Sequence, residues 1–224
     1  MEIPILYQDK RILVCLKPAG IRSTDEVGGL PELLRRQLGE GQTCLRTVHR
    51  LDQVVGGVMV LARSRKAAQL LSAQVADHRF QKEYLAVVEG SLPAPEGEFT
   101  DLLGRDKARR ITYVSQVPGK EVREARLGYR KLDEREGLSL VAVRLFTGRT
   151  HQIRCQFSAR GLPLVGDQKY GAAPQKMDGI ALWSHRLAFQ HPQTGEMVRF
   201  EAPPPKVWPW TLFPSSWLER DVNP

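Results

Sequence analysis

Ala125-Arg126-Leu127-Gly128-Tyr129-Arg130-Lys131-Leu132-Asp133-Glu134-Arg135-Glu136-Gly137-Leu138-Ser139-Leu140-Val141-Ala142-Val143-Arg144-Leu145-Phe146 is the stretch that decides the fold class. Two β-prone runs, 125–132 and 138–146, flank the turn-prone segment 133–137, which predicts an antiparallel hairpin. Further strands are expected at 12–16, 54–61, 83–89 and 110–114. A second strand pair, 183–189 and 197–201, encloses the turn His191-Pro192-Gln193-Thr194-Gly195. Three helices fit between them. One lies within 30–39, with Pro31 near its start and Gly39 after its end. A second covers 65–78, capped by Ser64, with Ala67, Ala68, Leu71 and Val75 at helical spacing. A third runs to Arg160, capped by Thr150 and closed by Gly161. Hairpin-joined strands with few helices predict an α+β fold with a largely antiparallel sheet. No repeat or linker interrupts the chain, so one domain is expected over 1–224. Trp208, Trp210 and Trp217 are expected to form a tail packed back on the body.

The chain has 224 residues, 42% of them hydrophobic and 26% charged, an ordinary composition for a soluble domain able to bury a core. Its longest apolar stretch, 54–62, includes Gly56 and Gly57 and is far shorter than the roughly 20 residues of a membrane-spanning helix. The first residues carry no secretory pattern, so the expected compartment is the cytosol. Cys15, Cys44 and Cys155 are widely spaced and read as reduced thiols. Neither a CxxC nor an HExxH pattern nor a Cys/His cluster occurs, so a structural or catalytic zinc site is not expected. The net charge is +8, and residues 101–160 alone hold 14 basic and 7 acidic groups. A cationic surface of this kind suits a polyanion such as nucleic acid, and it equally suits a solvated face that keeps the protein in solution.

Three segments have the residue types of a site. In His49-Arg50-Leu51-Asp52-Gln53-Val54-Val55-Gly56-Gly57 a carboxylate precedes an apolar strand, as a turn former or as a reactive group. In the strand 83–89, Tyr84 alternates with Leu85, so its ring faces either the core or a cleft. In Gly148-Arg149-Thr150-His151-Gln152-Ile153-Arg154, Ile153 and Phe157 are i,i+4 core partners. His151, Arg154 and Ser158 lie beside them, so Arg154 is either solvated or buried against a carboxylate.

With Lys17-Pro18-Ala19-Gly20, these segments in this order resemble the RluA-type family of pseudouridine synthases, and the likeness spans nearly the whole chain. The segments 49–52 and 148–154 carry it with most specificity. Gly166-Asp167-Gln168-Lys169-Tyr170-Gly171 and His191–Glu196 support it, and are read as shaping the fold. The resemblance implies a pseudouridine synthase fold with a central RNA-binding cleft. It assigns Asp52 as the catalytic aspartate, Tyr84 as the aromatic contacting the base, and Arg154 as the partner of the aspartate. Arg50, His49, Arg149, His151, Ile153 and Lys17 are implied as substrate-binding or supporting residues. One departure stands out: the family usually has Thr-Ser-Gly where this chain has Val55-Gly56-Gly57.

The implied reaction converts uridine in RNA to pseudouridine without cofactor, metal or membrane. The N1–C1′ bond breaks, the uracil turns, and C5 joins C1′. Asp52 could attack C1′, attack C6 or assist elimination through a glycal, and a guanidinium partner would favour its ionised form. The target nucleotide is expected to be flipped out of its helix. Lys17 lies too near Met1 to leave room for the S4-type domain of many relatives, so RNA choice is expected to rest on a monomeric catalytic domain or on a partner. The competing readings are an RNA-binding or RNA-folding protein that retains the fold, and a base-releasing glycosidase. The glycosidase is disfavoured because such enzymes usually need two carboxylates.

Overall fold

The computed structural model describes residues 2–39, 41, 43–175, 177 and 179–214. Along the chain the strands are β1 (Ile5–Gln8), β2 (Ile12–Lys17), β3 (Arg46–Thr47), β4 (Gly56–Ala62), β5 (Gln81–Glu89), β6 (Glu96–Asp106), β7 (Ile111–Ser115), β8 (Arg123–Arg135), β9 (Leu138–Leu145), β10 (Leu182–Gln190) and β11 (Met197–Glu201). The helices are α1 (Leu30–Gln37), α2 (Arg65–Ala76) and α3 (Gln152–Ser158). The described residues form two compact units, one within 1–82 and 183–202, the other within 83–182 and 203–214.

In the first unit β4 is buried along its whole length, as expected of an apolar, β-branched run. Its partner on one edge is β2, antiparallel, from Ile12 opposite Ala62 to Lys17 opposite Gly57. The other edge is shared. β3 pairs at Leu61 and Ala62, and β10 runs parallel at Gly56 and Gly57. Between them two side chains complete the ladder: His49 Nε2 accepts from Val60 N–H (3.2 Å), and Ser184 Oγ donates to the Val58 carbonyl (2.9 Å). β11 forms the predicted hairpin with β10, and β1 covers β2. Ser64 caps α2 through Ala67 N–H. The helix packs Ala67 and Leu71 into a core with Val58, Val60, Phe80, Leu187 and Phe189. α2 ends at Ala76 rather than His78, because His78 adopts a positive φ of 58°. β4 begins at Gly56 rather than Val54, because Val55 N–H closes a turn on the Asp52 carbonyl.

The second unit orders its strands β5-β9-β8-β6-β7, all antiparallel. The predicted β8–β9 hairpin is present, but its strands run to Arg135 and from Leu138, leaving a turn of only Glu136 and Gly137. Both have positive φ, 52° and 73°, as a two-residue hairpin turn requires. β6 was not predicted. Its sequence, EGEFTDLLGRD, mixes polar and apolar residues without clean alternation, and only pairing with both β8 and β7 makes it a strand. Thr150 is not the cap of α3. That place belongs to His151, in the left-handed region, while Gln152 Oε1 turns back to accept from Arg149 N–H and the Thr147 hydroxyl.

Every residue of α3 from Gln152 to Phe157 is buried, so Arg154 does not lie on an exposed polar stripe. Polar groups on a buried helix need partners. Gln156 Nε2, for instance, donates to Asp101 at 2.6 Å. Trp210 is buried as expected of the tail, Trp208 is exposed, and Trp217 lies outside the described residues. Cys15 and Cys155 are buried free thiols, pushed by that burial up to about 12 and about 11 respectively. Among the described residues no helix is long and apolar enough to cross a membrane.

Candidate active site

Asp52 lies in the loop between β3 and β4 and is half-buried. The loop is held from several directions. Ser23 Oγ donates to the Leu51 carbonyl at 2.8 Å and accepts from Leu51 N–H at 3.1 Å. Gly20 N–H donates to the Gln53 carbonyl at 2.7 Å, and Gln53 Nε2 returns a bond to the Gly20 carbonyl at 3.0 Å. Lys17, at the end of β2, is 0% exposed and donates through Nζ to the carbonyls of Pro18 (2.9 Å), Ile21 (2.7 Å) and Gln53 (3.3 Å). Burial pulls its ammonium down to about 8, partly offset by the neighbouring carboxylate of Asp52. Lys17 thus ties the Lys17–Gly20 turn to the Asp52 loop.

The departure at Gly56 has a local reason. A Cβ at this position would meet the Trp183 ring at 2.6 Å and 3.1 Å, so the indole of β10 occupies the room of a side chain. Trp183 is fixed in turn by its Nε1 bond to the Ala202 carbonyl (2.9 Å). Gly57 keeps the residue usual in the family. Its φ is 124° and an added Cβ would lie 2.3 Å from the Ser184 carbonyl oxygen, which only glycine tolerates.

His49 and Ile153 are core residues rather than surface contacts. His49 is 8% exposed and packs its ring 5.3 Å from Phe80. Burial, with the charge of Lys82, pushes it down to about 3. The neutral ring therefore serves the β4 ladder. Arg50 and Arg149 are exposed, and Arg149 Nε donates to the Glu124 carbonyl at 2.9 Å.

In the second unit Tyr84 stands on β5 opposite Val143 and is 6% exposed. Arg154 is 5% exposed and pairs with Asp167, 1% exposed, through Nε (2.6 Å) and Nη2 (2.8 Å). The Tyr170 ring lies 4.9 Å from its guanidinium carbon. The Tyr170 hydroxyl accepts from Thr112 N–H at 2.8 Å and lies 2.8 Å from His151 Nδ1. The resemblance assigns Arg154 one carboxylate partner, Asp52. The Nε/Nη2 edge of its guanidinium belongs to Asp167, a residue read as shaping the fold. The available signal was a lone carboxylate in an apolar-flanked turn shortly after a helix carrying an arginine on its inner side.

Part of the basic excess of 101–160 lies around β6 and β7. Arg105, Lys107, Arg109 and Arg110 lie at or near their connecting turn, and Arg123 stands opposite Leu103 at the start of β8. All five are exposed, as is Tyr113 on β7. The Tyr113 ring covers Gly104, whereas Arg105 and Arg123 are paired with Thr112 and Leu103 on the other face of the sheet, so the ring does not share their face; exposed cations of this kind suit phosphates.

The fold is shared with human RNA pseudouridylate synthase domain containing 1, at a TM-score of 0.79 and 24% identity over 92% of this chain and 85% of that one. A second human structure, RNA pseudouridylate synthase domain containing 4, has a TM-score of 0.78 at 22% identity, covering 93% of this chain and 91% of that one. The architecture is therefore that of the pseudouridine synthases. A family model described as RNA pseudouridylate synthase matches residues 11–159. The RNA pseudouridine synthase YhcT of Bacillus subtilis is 34% identical over 91% of this chain and 69% of its own length. Ribosomal large subunit pseudouridine synthase D of Zymomonas mobilis is 32% identical over 92% of this chain and 70% of its own. The chain belongs to the RluA-type family of RNA pseudouridine synthases, isomerases that convert uridine in RNA to pseudouridine.

Proposed function

We propose that Asp52 is the catalytic aspartate, that Arg154 is its guanidinium partner, and that Tyr84 contacts the uracil while it turns. The observation that carries this reading is the support given to the Asp52 loop, which is clamped through Leu51 and Gln53 by Ser23, Gly20 and the buried ammonium of Lys17. So much local order around one carboxylate suits a group that must meet a reacting carbon in a fixed direction.

The reaction breaks N1–C1′, joins C5 to C1′, releases the C5 proton and returns a proton to N1, with no net redox change. A pocket that retains the detached uracil keeps the reacting atoms close together. The target uridine is flipped from its stack, at a cost of a few kcal/mol that is least in loops and bulges. The substrate is ribosomal or transfer RNA. Relatives named for the large ribosomal subunit, from Zymomonas mobilis and Escherichia coli, favour the first. The enzyme acts as a cytoplasmic monomer.

The test uses 5-tritiated-uridine transcripts of ribosomal and transfer RNA. Wild-type protein is expected to release tritium in step with pseudouridine formation, and Asp52→Asn to release essentially none while still binding RNA. Normal turnover by Asp52→Asn overturns the site assignment. Binding without release by the wild type overturns the enzymatic reading, and free uracil in the supernatant identifies a glycosidase.

A further inference from the structure

We propose that Asp167 is a positioning residue of the reaction: it holds one edge of the Arg154 guanidinium and so fixes the direction in which Arg154 meets the reacting carboxylate. The inference rests on the proposed pairing of Asp52 with Arg154 in the reaction.

Arg154 and Asp167 form a two-point pair at 2.6 Å and 2.8 Å, with both side chains almost wholly buried. Two parallel N–H···O bonds set the plane of a guanidinium as well as its place, and because the group is rigid and planar they also set where its other N–H bonds point. The Tyr170 ring, 4.9 Å from the guanidinium carbon, restrains it further.

Asp167 is itself fixed by its backbone. Its N–H donates to the Leu164 carbonyl (2.9 Å), and its carbonyl accepts from Tyr170 N–H (2.9 Å) and Ala172 N–H (3.2 Å). Two residues earlier, Val165 N–H donates to the Val87 carbonyl of β5 at 2.9 Å. The orientation of Arg154 is thus referred back to the strand that carries Tyr84.

A pair that only joined α3 to this turn would not need charge, since well-packed apolar residues often replace a buried ion pair at no loss of stability. A charged pair makes sense where a guanidinium, which keeps its charge even when buried, must be both tolerated there and directed. Asp167 does both, by offsetting the burial of the cation and by occupying the Nε/Nη2 edge.

The test is a double-mutant cycle read by single-turnover tritium release from the RNA on which the wild type is active, with RNA affinity and thermal melting measured alongside. Asp167→Asn keeps the shape and removes the charge. It is expected to slow the chemical step on the order of 10²-fold, the effect of misplacing a catalytic group by about 1 Å, with RNA affinity unchanged. In an Arg154→Lys background the same substitution is expected to change the rate little, because its effect passes through the arginine. Folded Asp167→Asn with the wild-type rate, or an equal slowing in both backgrounds, overturns the proposal. If Asp167→Asn does not fold, Asp167→Glu keeps the charge on a longer arm and is expected to fold with a reduced rate; a wild-type rate there also overturns it. If Arg154→Lys alone reacts at the wild-type rate, the assignment of Arg154 fails, whatever Asp167 does.

Discussion

Among single residues, His49 shows how a polar group with site-like credentials serves the core. Its Nε2 fills the gap in the β4 edge between β3 and β10, so the ring must stay neutral to accept from Val60 N–H. Burial holds it near 3 in the folded protein, while an exposed histidine in the unfolded chain titrates at about 6.5. The unfolded state therefore binds the proton first. The contribution of His49 is present in full above pH of about 6.5 and is lost as the pH falls toward 3. Urea unfolding is expected to show stability falling over this window, with His49 contributing up to about 1.4 kcal/mol per pH unit. His49→Gln should flatten that part of the profile, and an unchanged acid limb would refute the account.

Gly56 and Trp183 make a second prediction at the level of side chains. Gly56→Ser restores the side chain usual in the family but drives a Cβ into the indole ring. Overpacking of this kind costs about 1–3 kcal/mol, and the cost should largely vanish in a Trp183→Ala background. An equal cost in both backgrounds would show that the two positions are not coupled.

Among the strands and helices, the turns and the buried strands were the most legible parts. Residues 138–146, 54–61 and 183–189 have apolar runs bounded by turn formers, and each became β9, β4 or β10 with ends shifted by a residue or two. β6 was not legible, because its polar residues tolerate several conformations and the choice is made by the strands on either side. The charge is divided by the fold: Arg105, Lys107, Arg109, Arg110 and Arg123 stand exposed at the β6–β7 turn and the start of β8, while Arg126, Arg154 and Arg160 pair with Glu98, Asp167 and Asp101. Neutralising Arg109, Arg110 or Arg123 to Gln is expected to weaken RNA binding similarly across sequences. Each cation removed from a phosphate should lower the steepness of the log affinity against log salt plot by about 1. Affinity that does not vary with salt would remove this surface from the account.

For the molecule as a whole, class and chemistry were legible in the order of residues. Periodicity and turn residues pointed to the α+β fold, and the segments 49–52 and 148–154 to the family, because each of these motifs is a short run of adjacent residues. What each polar group bonds to became visible with the folded chain. Lys17 binds three carbonyls of the turns around Asp52, His49 completes a strand edge, and Arg154 shares its charge with Asp167. The physical reason is burial: a polar side chain removed from water must find a partner, and that partner is set by distance in space, which the order of residues does not record.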